Sequence, residues 1–343
     1  VWSGARLQDR LDELQAQHPD VPGFALTVIH RGQLLSAATG QADPEGRAMT
    51  ATTPLRQASI SKTLVAAAVL RLVETDRLGL DDAVREWISP EHRALLVAEG
   101  YDPAVMSLHD LLTHSAGLAD HFGHEAFTRA VLADPQRVWT RSDQLALMSE
   151  VTEPLGHAEP TFAYSDSGYL LLGEVLEVRT GMPLAEAVVE LNRFERLGLN
   201  DSYWEGQEAP AAAPRRAHQA MDGLDTTFIH GSVDAFGGGG WIASTDDVAR
   251  YFEALFAGRV FDRPETLALM TGAPGHPPGS PYRYGLFERR AGDQIGYSHG
   301  GFWGTEARAY PDLGLTMAAA ALDSAGIDAL RDLLDALVEE AIL

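Results

Sequence analysis

Strand-type patterning sits at the two ends of this 343-residue chain, with a long helical stretch between them. Residues 23–40 alternate apolar and polar side chains about Arg31-Gly32, the pattern of a β-hairpin. Four short β-like runs, 282–289, 294–298, 305–310 and 315–321, follow one another near the end. Between them the periodicity is mostly helical to about Gly240, clearest over 59–74, 107–113, 141–150, 167–179 and 184–195. Strands at both ends imply one sheet built from both termini. Short turns between the late strands make that sheet antiparallel. The middle is then a helical insertion over one end, with a cleft between. Residues 1–75 and 241–343 are expected to form one domain and 76–240 the other, divided at Gly237–Gly240, the sharpest break in the chain. Leu7, Leu11 and Leu14 mark an amphipathic helix over Val1–Gln17. Two more helices are expected, one capped by Ser244 or Thr245 and ending near Phe256, the other over 325–342.

The helix that starts at Ser59 carries the only lysine. Of 26 Lys and Arg residues, 25 are arginine and one is Lys62. Arginine stays protonated at any working pH, whereas a buried lysine can lose its proton and act as a base. Ser59 stands one helical turn earlier, the spacing of an activated nucleophile. An exposed lysine on a helix face is the plainer alternative. The scarcity of lysine, and the apolar run from Thr63 to Val73 that follows at once, favour the catalytic reading.

A net charge of -23 argues against nucleic acid and anionic membranes as partners. The chain has no cysteine, so disulfides, thiol catalysis and cysteine metal sites are excluded. It has no apolar run of membrane-spanning length and no leader pattern. A cytoplasmic location is expected, with secretion left open if a leader has been removed. Oligomeric state is not legible.

Two further segments offer partners for acyl transfer. In Phe162-Ala163-Tyr164-Ser165-Asp166-Ser167-Gly168-Tyr169 a tyrosine near a deprotonated lysine can shuttle a proton. In Tyr297-Ser298-His299-Gly300-Gly301-Phe302-Trp303-Gly304 glycines on a strand edge let a substrate approach the backbone, whose amides can serve as oxyanion donors. With Leu55–Thr63, Leu108–Leu118 and Gly238–Tyr251, these segments make the chain resemble the penicillin-recognising serine hydrolases from Gly23 to about Leu322. That family comprises class C β-lactamases, DD-peptidases, D-aminopeptidases and serine esterases.

The resemblance implies an α+β fold, an α/β/α sandwich of β-lactamase/transpeptidase type with an inserted helical domain. It makes Ser59 the nucleophile, Lys62 the group that accepts or relays its proton, and Tyr164 a second general base and acid. His299, Gly300 and Gly301 line the opposite wall, with the oxyanion hole from the amides of Ser59 and Phe302. No metal or organic cofactor is implied. The partner is a small-molecule ester or amide.

Two motifs depart from the family pattern. Asp166 stands where asparagine is usual, and an ionised carboxylate cannot donate. Beside Lys62 it would hold the lysine protonated. Three roles stay open: Tyr164 carries more of the base role, Asp166 is itself protonated, or Asp166 binds a substrate cation. In the second motif Gly300 replaces a threonine and His299 a lysine, so the wall has less positive charge. Carboxylate-bearing substrates such as β-lactams should bind less well, while Phe302 and Trp303 suggest an apolar or aromatic acyl or leaving group. The expected activity is hydrolysis of an ester or amide through a Ser59 acyl-enzyme. The alternatives are acyl transfer to an amine or alcohol, a β-lactamase or DD-peptidase, and a non-catalytic binding protein. His114, His121 and His124, with Asp120 and Glu125, have a loose zinc-type spacing, but a cleft-lining loop is the favoured reading, ahead of a solvated surface and of a metal site.

Overall fold

The computed structural model describes residues 2–151 and 161–343. Strands β1 (Gly23–His30) and β2 (Gln33–Gly40) come from the start of the chain. Strands β3 (Phe287–Ala291), β4 (Gln294–Gly301), β5 (Thr305–Tyr310) and β6 (Leu315–Ala321) come from its end. They form one six-stranded sheet, ordered β2-β1-β6-β5-β4-β3, in which every neighbouring pair is antiparallel. The seam between the termini is the β1–β6 register, from Phe24↔Ala321 to His30↔Leu315. Arg31 and Gly32, at φ 51° and 80°, close the first hairpin in two residues.

Helices cover both faces. Among the helices are α1 (Gly4–Gln17), α2 (Ser61–Val73), α3 (Glu125–Ala133), α4 (Asp166–Thr180), α5 (Thr245–Phe256) and α6 (Ile327–Ile342), of which α1 and α6 lie on one face of the sheet and α5 on the other. Successive strand side chains point to opposite faces. Leu26, Val28 and Met317 pack with Leu7 and Leu11 of α1 and Leu330 and Leu334 of α6. Ile29, Ala307 and Ala318 face the other way, into a core shared with α2, α4 and α5. The result is the expected α+β sandwich. Ser244 caps α5, its hydroxyl accepting from the Asp247 amide at 3.2 Å. Val1 of the expected first helix lies outside the described residues.

Helix α2 explains how a lysine comes to be buried. Its sequence is apolar almost all round, and such a helix is stable only when covered on every side. Eleven of its 13 residues are buried, Lys62 among them.

The structure departs from the helical expectation between about 200 and 240. Glycines 198, 206, 223 and 231 and prolines 210 and 214 break helical propagation there. Tyr203–Trp204 instead joins Leu55–Arg56 and Trp241–Ala243 in a small three-stranded sheet. Ala220–Met221 pairs with Leu224–Asp225. The expected strand from 282 begins only at Phe287, because residues 283–286 form a turn in which the Arg283 amide donates to the Leu286 carbonyl at 2.7 Å. No helix among the described residues is long and apolar enough to cross a membrane.

Candidate active site

The chain reaches Ser59 through a strained corner. The Gln57 amide donates to the Trp241 carbonyl at 2.9 Å, which anchors the approach to the small sheet. Ala58 then takes φ 46°, a left-handed conformation that costs a non-glycine residue about 1–3 kcal/mol. Packing of Ala58 with Phe127, Trp139 and Trp303 holds it there. A single 3-10 turn over Ala58–Ile60 leads into α2. Ser59 is half-buried while the residues on either side of it are buried, so its hydroxyl is what this corner presents.

Lys62 is fully enclosed and its Nζ–H groups are all engaged. It donates to Ser59 Oγ at 2.9 Å and to the Gly238 carbonyl at 2.7 Å, and forms an ion pair with Asp166. Gly238 makes this cage possible, since a Cβ there would stand 2.7 Å from Asp166 Oδ1. Burial is the largest influence on the Lys62 pKa and lowers it, but the Asp166 carboxylate and Tyr164 outweigh burial and the net direction is upward. Asp166 is itself buried, with its amide donating to Asp120 Oδ1 at 3.1 Å. Burial and the charge of Asp166 push the Asp120 carboxyl up to about 6.

Tyr164 comes from the segment before α4. The Lys62 Nζ lies 5.1 Å from its ring centroid, and the ring stacks on Phe287 at 6.3 Å and 13°. Burial pushes its hydroxyl up to about 12 against the pull of Lys62 and Ser59, so it stands as a protonated phenol.

The opposite wall is the end of β4. Pairing with β3 stops at Phe287↔Ser298, so His299, Gly300 and Gly301 form a local free edge although β4 is an inner strand of the sheet. Gly301 lies against the Ser59 corner, where a Cβ would meet the Gln57 carbonyl at 2.3 Å. Neither the Ser59 nor the Phe302 amide donates to a backbone carbonyl among the described residues. His299 Nδ1 donates to the Gly300 carbonyl at 2.9 Å, which leaves Nε2 to accept from the Tyr282 hydroxyl at 3.0 Å. Burial and the charge of Lys62 lower its pKa to about 3, so this histidine is neutral across the working range.

A cleft of about 820 Å³ is lined by Ser59, Tyr164, His299, Gly300, Gly301 and Phe302. Arg289, Arg290 and Arg331 line it too, a feature that sequence reasoning missed. Each faces a carboxylate: Arg290 pairs with Glu288 at 3.1 Å, and Arg331 and Arg289 with Glu306 at 3.2 and 3.7 Å. A Cβ on Gly300 would lie 3.0 Å from Glu306 and 3.1 Å from Arg331, so this pair occupies the place of a threonine side chain. Two residues expected to meet the substrate do not line this cleft. Asp166 sits behind Lys62, and Trp303 is buried beneath the Arg56 guanidinium, 5.6 Å from its ring.

The histidines of the 114–124 segment do not converge. His114 packs against Tyr164 and Tyr282 at 4.3 and 4.5 Å and accepts from the Ser165 amide at 3.1 Å. His121 Nδ1 lies 2.9 Å from Ser167 Oγ, and His124 caps α3. Among the described residues no cluster of three His, Asp or Glu side chains could hold a metal ion.

The model of the Beta-lactamase family matches residues 8–340 of this chain. Esterase EstB of Burkholderia gladioli is 33% identical over 298 residues, covering 77% of this chain and 72% of the esterase. The acyltransferase mokF of Monascus pilosus is 26% identical over 239 residues, and the chain spans 56% of its length. The D-amino acid amidase from Ochrobactrum anthropi SV3, solved with L-phenylalanine amide, superposes with a TM-score of 0.78 at 24% identity, covering 98% of this chain and 96% of the amidase.

Proposed function

The chain belongs to the beta-lactamase family of serine hydrolases, and on that premise we propose that it cleaves a small ester or amide through a Ser59 acyl-enzyme. The observation that carries this reading is the 2.9 Å contact between Lys62 Nζ and Ser59 Oγ at the floor of the cleft. A serine hydroxyl is a weak nucleophile until a neighbouring base takes its proton. Lys62 is in place to do so once it has released its own proton. Ser59 Oγ then bonds to the substrate carbonyl carbon, and the carbonyl electrons move onto oxygen. The free amides of Ser59 and Phe302 are the donors available to that oxyanion, each worth about 10²–10³ in rate. The Tyr164 phenol supplies a proton to the departing alcohol or amine. Water, deprotonated by the same groups, releases the acid and restores Ser59.

Mass spectrometry after treatment with a fluorophosphonate tests this. One adduct is expected, on the peptide containing Ser59, and Ser59→Ala should abolish it. Ser142 has a histidine–carboxylate pair behind it, with His92 Nε2 3.0 Å from its Oγ and His92 Nδ1 2.6 Å from Glu174. An adduct there would remove Ser59 from the chemistry.

Likeness to an acyltransferase favours a second reading, in which an amine or alcohol replaces water as acceptor. Product analysis with and without added amine separates the two. For β-lactams the neutral His299 supplies no cation to the substrate carboxylate, and each arginine of the cleft wall is already engaged with a carboxylate of the protein. Turnover of a chromogenic cephalosporin should therefore fall below about 10⁴ M⁻¹s⁻¹ in kcat/KM, the lower end of the usual enzyme range. A value of about 10⁶ M⁻¹s⁻¹ or more would overturn that inference.

A further inference from the structure

A second cavity, of about 380 Å³, lies on the far side of Phe302 from the cleft. It is lined by Phe127, Val131, Leu132, Leu224, Phe302 and Trp303, among others, and among the described residues Asp222 is the one charged side chain in its wall. Phe302 lines both spaces. The apolar residues behind it continue to the nucleophile corner, because Ala58 packs in one cluster with Phe127, Val131 and Trp303. Leu132, Leu224 and Phe302 stay about half exposed in the free protein. Large apolar side chains gathered exposed around one concave space mark a binding surface.

We infer that this cavity takes the hydrocarbon part of the substrate's acyl group, so that the preferred substrates are esters or amides of medium-length aliphatic or arylalkyl acids. The inference rests on the Ser59 acyl-enzyme reading. The acyl group is the occupant because the Phe302 amide is proposed to hold the acyl oxygen, and the side chain of that residue forms the shared wall. An acyl chain also remains attached to Ser59 through both chemical steps, whereas the leaving group departs after the first.

The test is kcat/KM along p-nitrophenyl esters from acetate to octanoate, for the wild type, Val131→Phe and Leu132→Trp. Val131 is buried in the cavity wall, and Leu132 is exposed at its rim, where a larger side chain costs little in folding. Each methylene placed in an apolar site is worth about fourfold. The octanoate-to-acetate ratio should therefore exceed about tenfold in the wild type and fall at least about fivefold in both variants. The ratio is the readout, so a uniform loss from a poorly folded variant cancels. A flat wild-type series overturns the inference, as does a ratio that neither variant changes. A chain-length preference that follows the alcohol of alkyl acetates instead of the acid would also overturn it. Phosphonate labelling of the same preparations separates the two levels: absence of the Ser59 adduct sinks the acyl-enzyme reading, whereas a normal adduct with a flat series sinks the acyl pocket alone.

Discussion

Lys62→Arg should lose about as much kcat/KM as Lys62→Ala, about 10²–10⁴-fold on a simple ester, although arginine keeps the charge. Two roles for Lys62 are compatible with its position. As a fixed cation it would orient Ser59 Oγ by donating to it across 2.9 Å, and arginine could substitute in part. As a base it must give up a proton and take one back, which a guanidinium does not do in this pH range. Activity of Lys62→Arg within about tenfold of the wild type would show that only the charge matters, since one factor of ten is about 1.4 kcal/mol. Stability must be read alongside. Lys62→Ala leaves the buried Asp166 carboxylate without its partner, a loss of about 3–5 kcal/mol. The double variant Lys62→Ala/Asp166→Asn removes both charges and should recover much of the Tm. Its activity should stay as low as that of the single variant, which separates chemistry from folding.

Asp166→Asn should move the rising limb of the pH–rate profile to lower pH by about 1–3 units. The sign follows from the cage around Lys62. Burial favours the neutral amine, and the Asp166 charge overrides burial to hold the ammonium. Asparagine removes that charge, so burial prevails, the lysine pKa falls and the free base appears at lower pH. At neutral pH, cleavage of an uncharged ester should therefore be faster in Asp166→Asn. In the wild type, a lysine pKa raised on folding contributes stability that is fully present below the unfolded value, about 10.4, and is lost only as pH rises through the folded value. Unfolding of this origin does not distort the wild-type profile near neutrality. A uniform fall in rate with no acid shift would mean that Asp166 is the terminal proton acceptor. An unchanged profile would remove Asp166 from the chemistry. Specific loss on a cationic substrate, with generic esterase activity kept, would revive recognition of a positive group, although the carboxylate lies behind Lys62 and outside the cleft wall.

Much of this molecule can be read from local pattern. Alternation over 23–40 and the short β-like runs 305–310 and 315–321 are properties of neighbouring residues, and β1, β2, β5 and β6 appear where they predict them. Ser59 and Lys62 are three residues apart, so one helical turn brings them into contact wherever the helix sits. The all-round apolar sequence of α2 announces that the lysine will be buried. Asp166 is legible as an oddity, and its proximity to Lys62 follows from the resemblance to a known family.

Other features depend on side chains brought together from distant segments. Arg289 and Arg331 reach the cleft from β3 and α6 and meet at Glu306, a convergence that no spacing encodes. His299 is a wall residue by motif, but whether it is charged depends on burial and on Lys62, which another part of the chain supplies. Trp303 is adjacent to Phe302 in sequence, yet packing buries it beneath Arg56 and leaves Phe302 between two cavities. Sequence alone therefore determined the sheet from two termini, the Ser59–Lys62 contact and the serine-hydrolase family, because these rest on periodicity and contacts a few residues apart. Tertiary structure alone decided which charges are compensated, which way the Lys62 proton is biased and where an apolar group can go, because electrostatics and cavity shape depend on all neighbours in space and most of those are remote in the chain.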